Sequence, residues 1–238
     1  MSLSLAFEPS LRLVQRLLCE QSPQMAFGES FPMKLTTLVL LLAVFLSACA
    51  QAAPTPTSVP TQTPVPLPTG VRPLDPPVAL PDFRLTDGRN QPFTRQNLTD
   101  RWTLMSFGYT HCPDVCPITL ANFTLVRRAL GEQAERVAFI FVSVDGARDT
   151  PEVLSRYIAN FDPTFIGLTG SEMEIRPVTQ AFGVRYEIVK PEGTQADYLI
   201  NHTASSFLVN PKGELARIYS YGTDPEVIAA DIRSLIMN

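Results

Sequence analysis

Histidine is nearly absent from this chain, with two in 238 residues, so imidazole chemistry has only His111 and His202 to draw on. Charge is also sparse: Asp, Glu, Lys and Arg make up 18%, and the net charge is −4. So weak an acidic balance lacks the basic footprint of a nucleic-acid binder, and no nucleic-acid partner is expected. A membrane-spanning helix needs roughly 20 apolar residues, and the run from Leu35 to Leu46 is too short for one. No internal repeat is apparent. The four cysteines are Cys19, Cys49, Cys112 and Cys116. Proline, by contrast, is plentiful at 22 residues, which points to a low-complexity region.

Residues 1–32 show no clean period and mix charges of both signs. At Met33-Lys34 the text changes to a basic start, an apolar core and the small residues Ser47-Ala48 before Cys49, which is the layout of a secretory signal. Leu46-Ser-Ala-Cys49 resembles the lipobox of bacterial lipoproteins, which makes residues 33–49 a lipoprotein signal peptide and Cys49 the lipidated residue. An uncleaved anchor is the alternative. Translation is expected to begin at Met33, with residues 1–32 either upstream of the true start or an extended n-region; Cys19 then lies outside the mature protein. Residues 50–77 form a Pro/Thr-rich linker with too few large apolar groups to fold, and an extended spacer is expected. The folded domain is expected to span residues 78–238.

The domain is organised around Gly108-Tyr-Thr-His-Cys-Pro-Asp-Val-Cys-Pro117. The run Thr103 to Tyr109 reads as a buried strand. After the cysteines, Phe123, Val126 and Leu130 fall on one helix face, and Gly131 is a natural stop. Pro117 suits the first helical turn and places Cys116 at the helix entrance. Two thiols on a strand-to-helix turn face the positive end of a helix dipole, which favours the thiolate. A structural disulfide across so short a loop would constrain the unfolded chain little. A redox pair or a soft-metal site fits better, and spacing alone does not choose between them.

Asp87-Gly88 marks an N-terminal β-hairpin within Leu80–Phe93. Val137 to Val144 reads as a central parallel strand. Thr150-Pro151 opens a helix with Leu154, Tyr157, Ile158 and Phe161 inward. Phe165 to Leu168 is a short strand, and Ser171 with Glu174 forms a capping box for a helix that Pro177 should break or kink. Strands Ser206–Val209 and Leu215–Tyr221 form a second hairpin before a final helix facing inward through Ile228, Ile232 and Leu235. This order predicts an α/β, thioredoxin-like fold, a central mixed sheet with helices on both faces.

Thiol-disulfide enzymes of that fold generally carry Cys-x-x-Cys and a cis-proline before the strand facing the dithiol. Here the spacing is one residue longer, and Asn201-His-Thr-Ala-Ser-Ser-Phe207 has no proline but does have His202. The fold would bring two thiolates and one imidazole together. Sulfur ligands select Cu(I), and an added imidazole accommodates Cu(II). Zinc usually closes with four ligands, and no fourth is obvious.

The motifs Phe107–Pro117, Ser143-Val-Asp-Gly-Ala-Arg-Asp-Thr-Pro151 and Tyr198-Leu-Ile-Asn-His-Thr203 together resemble the Sco/SenC family of copper-binding proteins. The resemblance covers essentially all of the chain from Val78 onward. It implies Cu(I) and Cu(II) bound by Cys112, Cys116 and His202, with Asp145 influencing the metal and His111 in a supporting place. It further implies a copper metallochaperone on the extracytoplasmic face of a bacterial cell membrane, lipid-anchored, serving the copper-site subunit of cytochrome c oxidase. Another copper chaperone or a thiol-disulfide reductase would be a further partner. Two departures from the family pattern are visible: Gly146 replaces a usual proline, and Asn201 stands where an aspartate commonly precedes the histidine. The competing expectation is a thiol-disulfide reductase acting through Cys112 and Cys116 without metal. A thiol peroxidase is weaker, because no peroxide-activating arginine can be placed.

Overall fold

The chain divides into two units, Met1–Gln62 and Thr63–Asn238. The structure, a computed structural model, describes residues 69–190 and 197–237, all within the second unit. The expected signal peptide, the lipidated Cys49, Cys19 and the linker up to residue 68 lie outside the described residues. No helix among the described residues is long and apolar enough to cross a membrane.

The sheet is built outward from two strands with continuous burial, β4 (Trp102–Gly108) and β5 (Val137–Ser143), which run parallel from Trp102 opposite Val137 to Gly108 opposite Ser143. β6 (Ile166–Thr169) continues the parallel set beyond β5. The hairpin of β2 (Arg84–Asp87) and β3 (Pro92–Thr94) closes that edge antiparallel, its turn held by Asp87, which accepts the Arg89 and Gln91 amides. On the other side β9 (Ser206–Val209) runs antiparallel to β4, followed by β10 (Glu214–Tyr219) and β1 (Val71–Ala79).

Among the described residues four α-helices cover this sheet: α1 (Val115–Leu130), α2 (Pro151–Ala159), α3 (Glu172–Ala181) and α4 (Pro225–Met237). Directly paired residues share a sheet face, so Phe141 and its partners Ser106 and Gly167 look one way. On that face Phe139 meets Phe123 of α1, and Phe141 meets Tyr157 of α2. α4 packs beside α1, with Arg233 donating to the Ala129 carbonyl at 2.8 Å. Phe107 points to the opposite face, where its ring lies 5.3 Å from that of Phe182 at the end of α3. Both faces are therefore covered, as the thioredoxin-like arrangement requires.

Three features depart from the sequence-based outline. β1 takes in residues 71–77, which composition assigns to the linker: its prolines sit on an edge strand, where a missing N–H is tolerated, and the register slips between Pro73 and Val78. α3 runs unbroken through Pro177, which lies on its exposed side. Lastly, β7 (Tyr186–Val189) and β8 (Leu199–His202) form an antiparallel ribbon of their own, hydrogen-bonded to no strand of the large sheet among the described residues. His202 is the last residue of β8.

Candidate metal centre

The cysteine turn starts where β4 ends. Ser106 pairs with Ser206, so the carboxyl end of β4 adjoins the amino end of β9, and the chain arriving at β9 is the one that carries His202. Gly108 closes β4 because nothing larger fits: a Cβ there would lie 2.6 Å from Cys116 Sγ and 2.7 Å from the Phe141 ring. Cys116 is the second residue of α1 and 1% exposed, and it continues the buried stripe of Leu120, Phe123, Val126 and Leu130. Asp114 occupies the N-cap position without making a side-chain cap. The sulfur of Cys112 does that work instead, accepting the Cys116 amide at 3.4 Å. Gly131 ends α1 with a φ of 59°.

The two sulfurs are free thiols, half-buried at Cys112 and buried at Cys116. His202 Nε2 lies 3.3 Å from Cys116 Sγ. Its Nδ1 lies 3.0 Å from the Thr203 carbonyl oxygen, which can only accept, so in the neutral ring Nδ1 carries the proton and Nε2 presents a lone pair. The donor atoms of Cys112, Cys116 and His202 all lie within 4.8 Å of one another. Donors about 2.0–2.3 Å from a common ion sit roughly 3.5–4 Å apart, so small side-chain adjustments close the set.

The thiols titrate as a pair. The hydrogen bond from Cys116, with contributions from His202 and from the Asp114 and Cys116 amides, outweighs burial and draws Cys112 down to about 3. The same bond to Cys112, reinforced by burial, pushes Cys116 up. The pair therefore favours the thiolate at Cys112 and the proton on the inner sulfur. A soft cation replacing that proton meets two sulfurs and one imidazole nitrogen, a set suited to copper, with no fourth donor in the cluster among the described residues.

Asp145 is 4% exposed, and its carboxylate is fully engaged: Oδ2 takes Arg148 Nε at 2.6 Å, and Oδ1 accepts the Tyr198 hydroxyl at 2.7 Å. It faces the root of β8 and is not one of the three clustered donors. Its neighbour Gly146 is required by packing, since a Cβ there would lie 1.9 Å from the Gly170 carbonyl oxygen. Asn201 is exposed on the ribbon, and the Nδ1 partner of His202 is a backbone carbonyl, so that hydrogen bond does not depend on residue 201. His111 is exposed and turned from the donor cluster, with Nδ1 3.0 Å from Thr110 Oγ1 and 3.8 Å from Asp149 Oδ1.

Asp149, in the quoted motif but given no role from sequence, is the buried anchor of the turn. It accepts the Thr110 amide at 2.9 Å, the Thr110 hydroxyl at 2.5 Å and the Ser143 hydroxyl at 2.6 Å. Its only sequence signal is its place just before the Thr150-Pro151 helix start, which does not foretell burial. Tyr109, Arg148 and Tyr198 were likewise unassigned, and all three bear on the ribbon that holds His202.

Residues 72–237 match the family described as SCO1/SenC. The yeast protein SCO2, mitochondrial, of Saccharomyces cerevisiae is 33% identical over 159 residues, 65% of this chain and 53% of that protein, so the chain spans about half its length. The structure of Bradyrhizobium japonicum ScoI with copper bound superposes with a TM-score of 0.60 at 38% identity, covering 66% of this chain and 99% of ScoI. BsSco, a member of the Sco family of cytochrome c oxidase assembly proteins in which a disulfide switch has been identified, aligns with a TM-score of 0.52 at 28% identity, over 68% of this chain and 95% of its own. The match runs from the second residue of β1 to the end of α4 and takes in the cysteine turn and the ribbon alike, and on that extent the chain belongs to the SCO1/SenC family.

Proposed function

We propose that this protein takes up copper at Cys112, Cys116 and His202 and passes it to the binuclear copper site of a cytochrome c oxidase subunit. The observation that carries the reading is the convergence of two sulfurs with an imidazole whose Nε2 is already aimed at them. Cys112 is a thiolate before the ion arrives, Cys116 gives up the last proton on binding, and Nε2 needs no tautomer change. Transfer would proceed by ligand exchange, an acceptor thiolate binding the ion as one donor here leaves. The resemblance to ScoI, solved with copper, and to BsSco, an oxidase assembly family member, supports cargo and destination. A lipid on Cys49 would tether the domain at the extracytoplasmic membrane surface through the Pro/Thr-rich spacer.

One observation favours a second reading, a thiol-disulfide reductase: the half-exposed Cys112 thiolate is placed to attack, and the buried Cys116 thiol to resolve. Cys112 would form a mixed disulfide, releasing one acceptor thiol. Cys116 would then lose its proton and attack the Cys112 sulfur, releasing the second thiol and leaving Cys112–Cys116 oxidised.

His202→Ala separates the two. Cu(II) prefers sites that include nitrogen, whereas two thiolates satisfy Cu(I). The variant should lose most Cu(II) affinity, keep much of its Cu(I) affinity, and reduce a small disulfide at an unchanged rate. Cells carrying it should fail to assemble the oxidase under limiting copper. Normal assembly there would overturn the copper reading, as would full Cu(I) affinity in the Cys112→Ser, Cys116→Ser double variant.

A further inference from the structure

The ribbon that ends in His202 shares no backbone ladder with the large sheet among the described residues, so side chains must hold it in place. Tyr109, just past β4, accepts the Ile200 amide on its hydroxyl at 3.1 Å, in a buried bond at the middle of β8. The root of β8 is held more elaborately. Arg148 donates from Nη1 to the Tyr198 carbonyl at 3.2 Å, and its guanidinium carbon lies 3.6 Å from the centre of the Tyr198 ring. It forms an ion pair through Nε with Asp145, which also receives the Tyr198 hydroxyl. One planar group thus grips both the backbone and the ring of the residue just before the strand, while Asp145 anchors the grip just past the end of β5. The remaining nitrogen, Nη2, is buried without an acceptor among the described residues.

From this we infer that Arg148 is a positioning residue for His202: it fixes the root of β8 so that Nε2 stands at the thiols before any ion is bound. The inference rests on the copper reading for its purpose but not for its geometry. It assigns the influence of Asp145 on the metal to support of this clasp and not to ligation. Arginine is required because a lysine can keep the ion pair but cannot stack a planar cation on the Tyr198 ring.

The test is made on the reduced, copper-free full chain and then on its copper complexes. In Arg148→Gln, amide hydrogen exchange in β8 should rise by at least about tenfold while β4 and β5 exchange as before, and Cu(II) affinity should fall by roughly 10- to 100-fold, as loss of a ligand's supporting partner does. Its thiolate-to-Cu(II) absorption should shift toward that of His202→Ala. Arg148→Lys should fall between the two proteins. Tyr198→Phe, which removes one hydroxyl and keeps the stacked ring, should show the same pattern more weakly; it decides the matter if Arg148→Gln does not fold. Unchanged β8 exchange with an unchanged Cu(II) spectrum would overturn the inference. So would exchange that rises uniformly through β4, β5 and β8 with the Cu(II) band intact, because that marks a general loss of stability. If the parent protein binds no copper, the proposed function fails, and the exchange contrast alone still decides whether Arg148 positions the ribbon.

Discussion

The cysteines and the histidine sit on two regions held by different means. The cysteine turn grows out of β4, whose paired neighbours β5 and β9 lock it by backbone hydrogen bonds on both sides. Asp149 then ties the turn down from beneath with three hydrogen bonds. The ribbon carrying His202 has one ladder, to itself, and reaches the body through Tyr109, Arg148 and Tyr198, with the Tyr186 hydroxyl also bonded to Glu172 on α3. A ladder adds several bonds cooperatively, whereas a side-chain tie stands or falls singly. The contrast makes the ribbon, not the cysteine turn, the element expected to open first.

Among substitutions, the largest expected effect comes from breaking the rigid side. Asp149 is fully buried, and Asp149→Ala would orphan the Thr110 amide and the Ser143 hydroxyl proton, costing about 2–6 kcal/mol at 1–3 kcal/mol for each buried group left unpaired. Urea unfolding should show the loss, and the cysteine turn should lose exchange protection before the ribbon does. Equal loosening of both would mean that the two regions are one cooperative unit.

Gly108→Ala tests how closely the turn is built. The added Cβ meets Cys116 Sγ and the Phe141 ring, and overpacking of this kind costs about 1–3 kcal/mol. The Cys116 sulfur should move while His202 does not, so Cu(I) affinity should drop with little change in β8 exchange. A variant of parental stability and affinity would show that the sulfur's place is not set by this contact.

The last test is a pH slope set by the thiol pair. Cys112 is lowered in the folded protein, so its contribution to stability is full above the unfolded thiol value of about 8.5 and fades as pH falls toward about 3. Cys116 is raised, so its contribution is full below about 8.5 and fades as pH climbs above it. Stability of the reduced protein, measured against the double serine variant, should therefore peak near the unfolded thiol value and fall on both sides. Alkylation at Cys112 should stay fast well below neutral pH. A monotonic difference curve would mean that the pair does not share its proton in this way.

Local pattern made much of the molecule legible. The apolar runs of β4 and β5, the stripe of α1 with its Gly131 stop, the Thr150-Pro151 start of α2 and the Ser171–Glu174 box are short-range signals, and each element stands where they indicate. The Asp87-Gly88 hairpin belongs with them. β1 was hidden because its prolines imitate a linker, and what makes it a strand is β10 beside it. The ribbon was hidden because β7 and β8 have four residues each with mixed exposure, and no period marks their pairing.

The sequence by itself determined the donor types and the chain order: two thiols at a helix start, a lone downstream histidine, and the strands and helices between them. Those follow from spacing, capping and hydrophobic period, which act over a few residues. Tertiary structure alone decided that His202 Nε2 faces Cys116, that the Cys112 sulfur caps α1, that Asp149 is the anchor, and that Asp145 answers to Arg148 and Tyr198. Each of these joins groups from different elements in a low-dielectric interior, where a charge must take whichever partners the packed chain brings within reach.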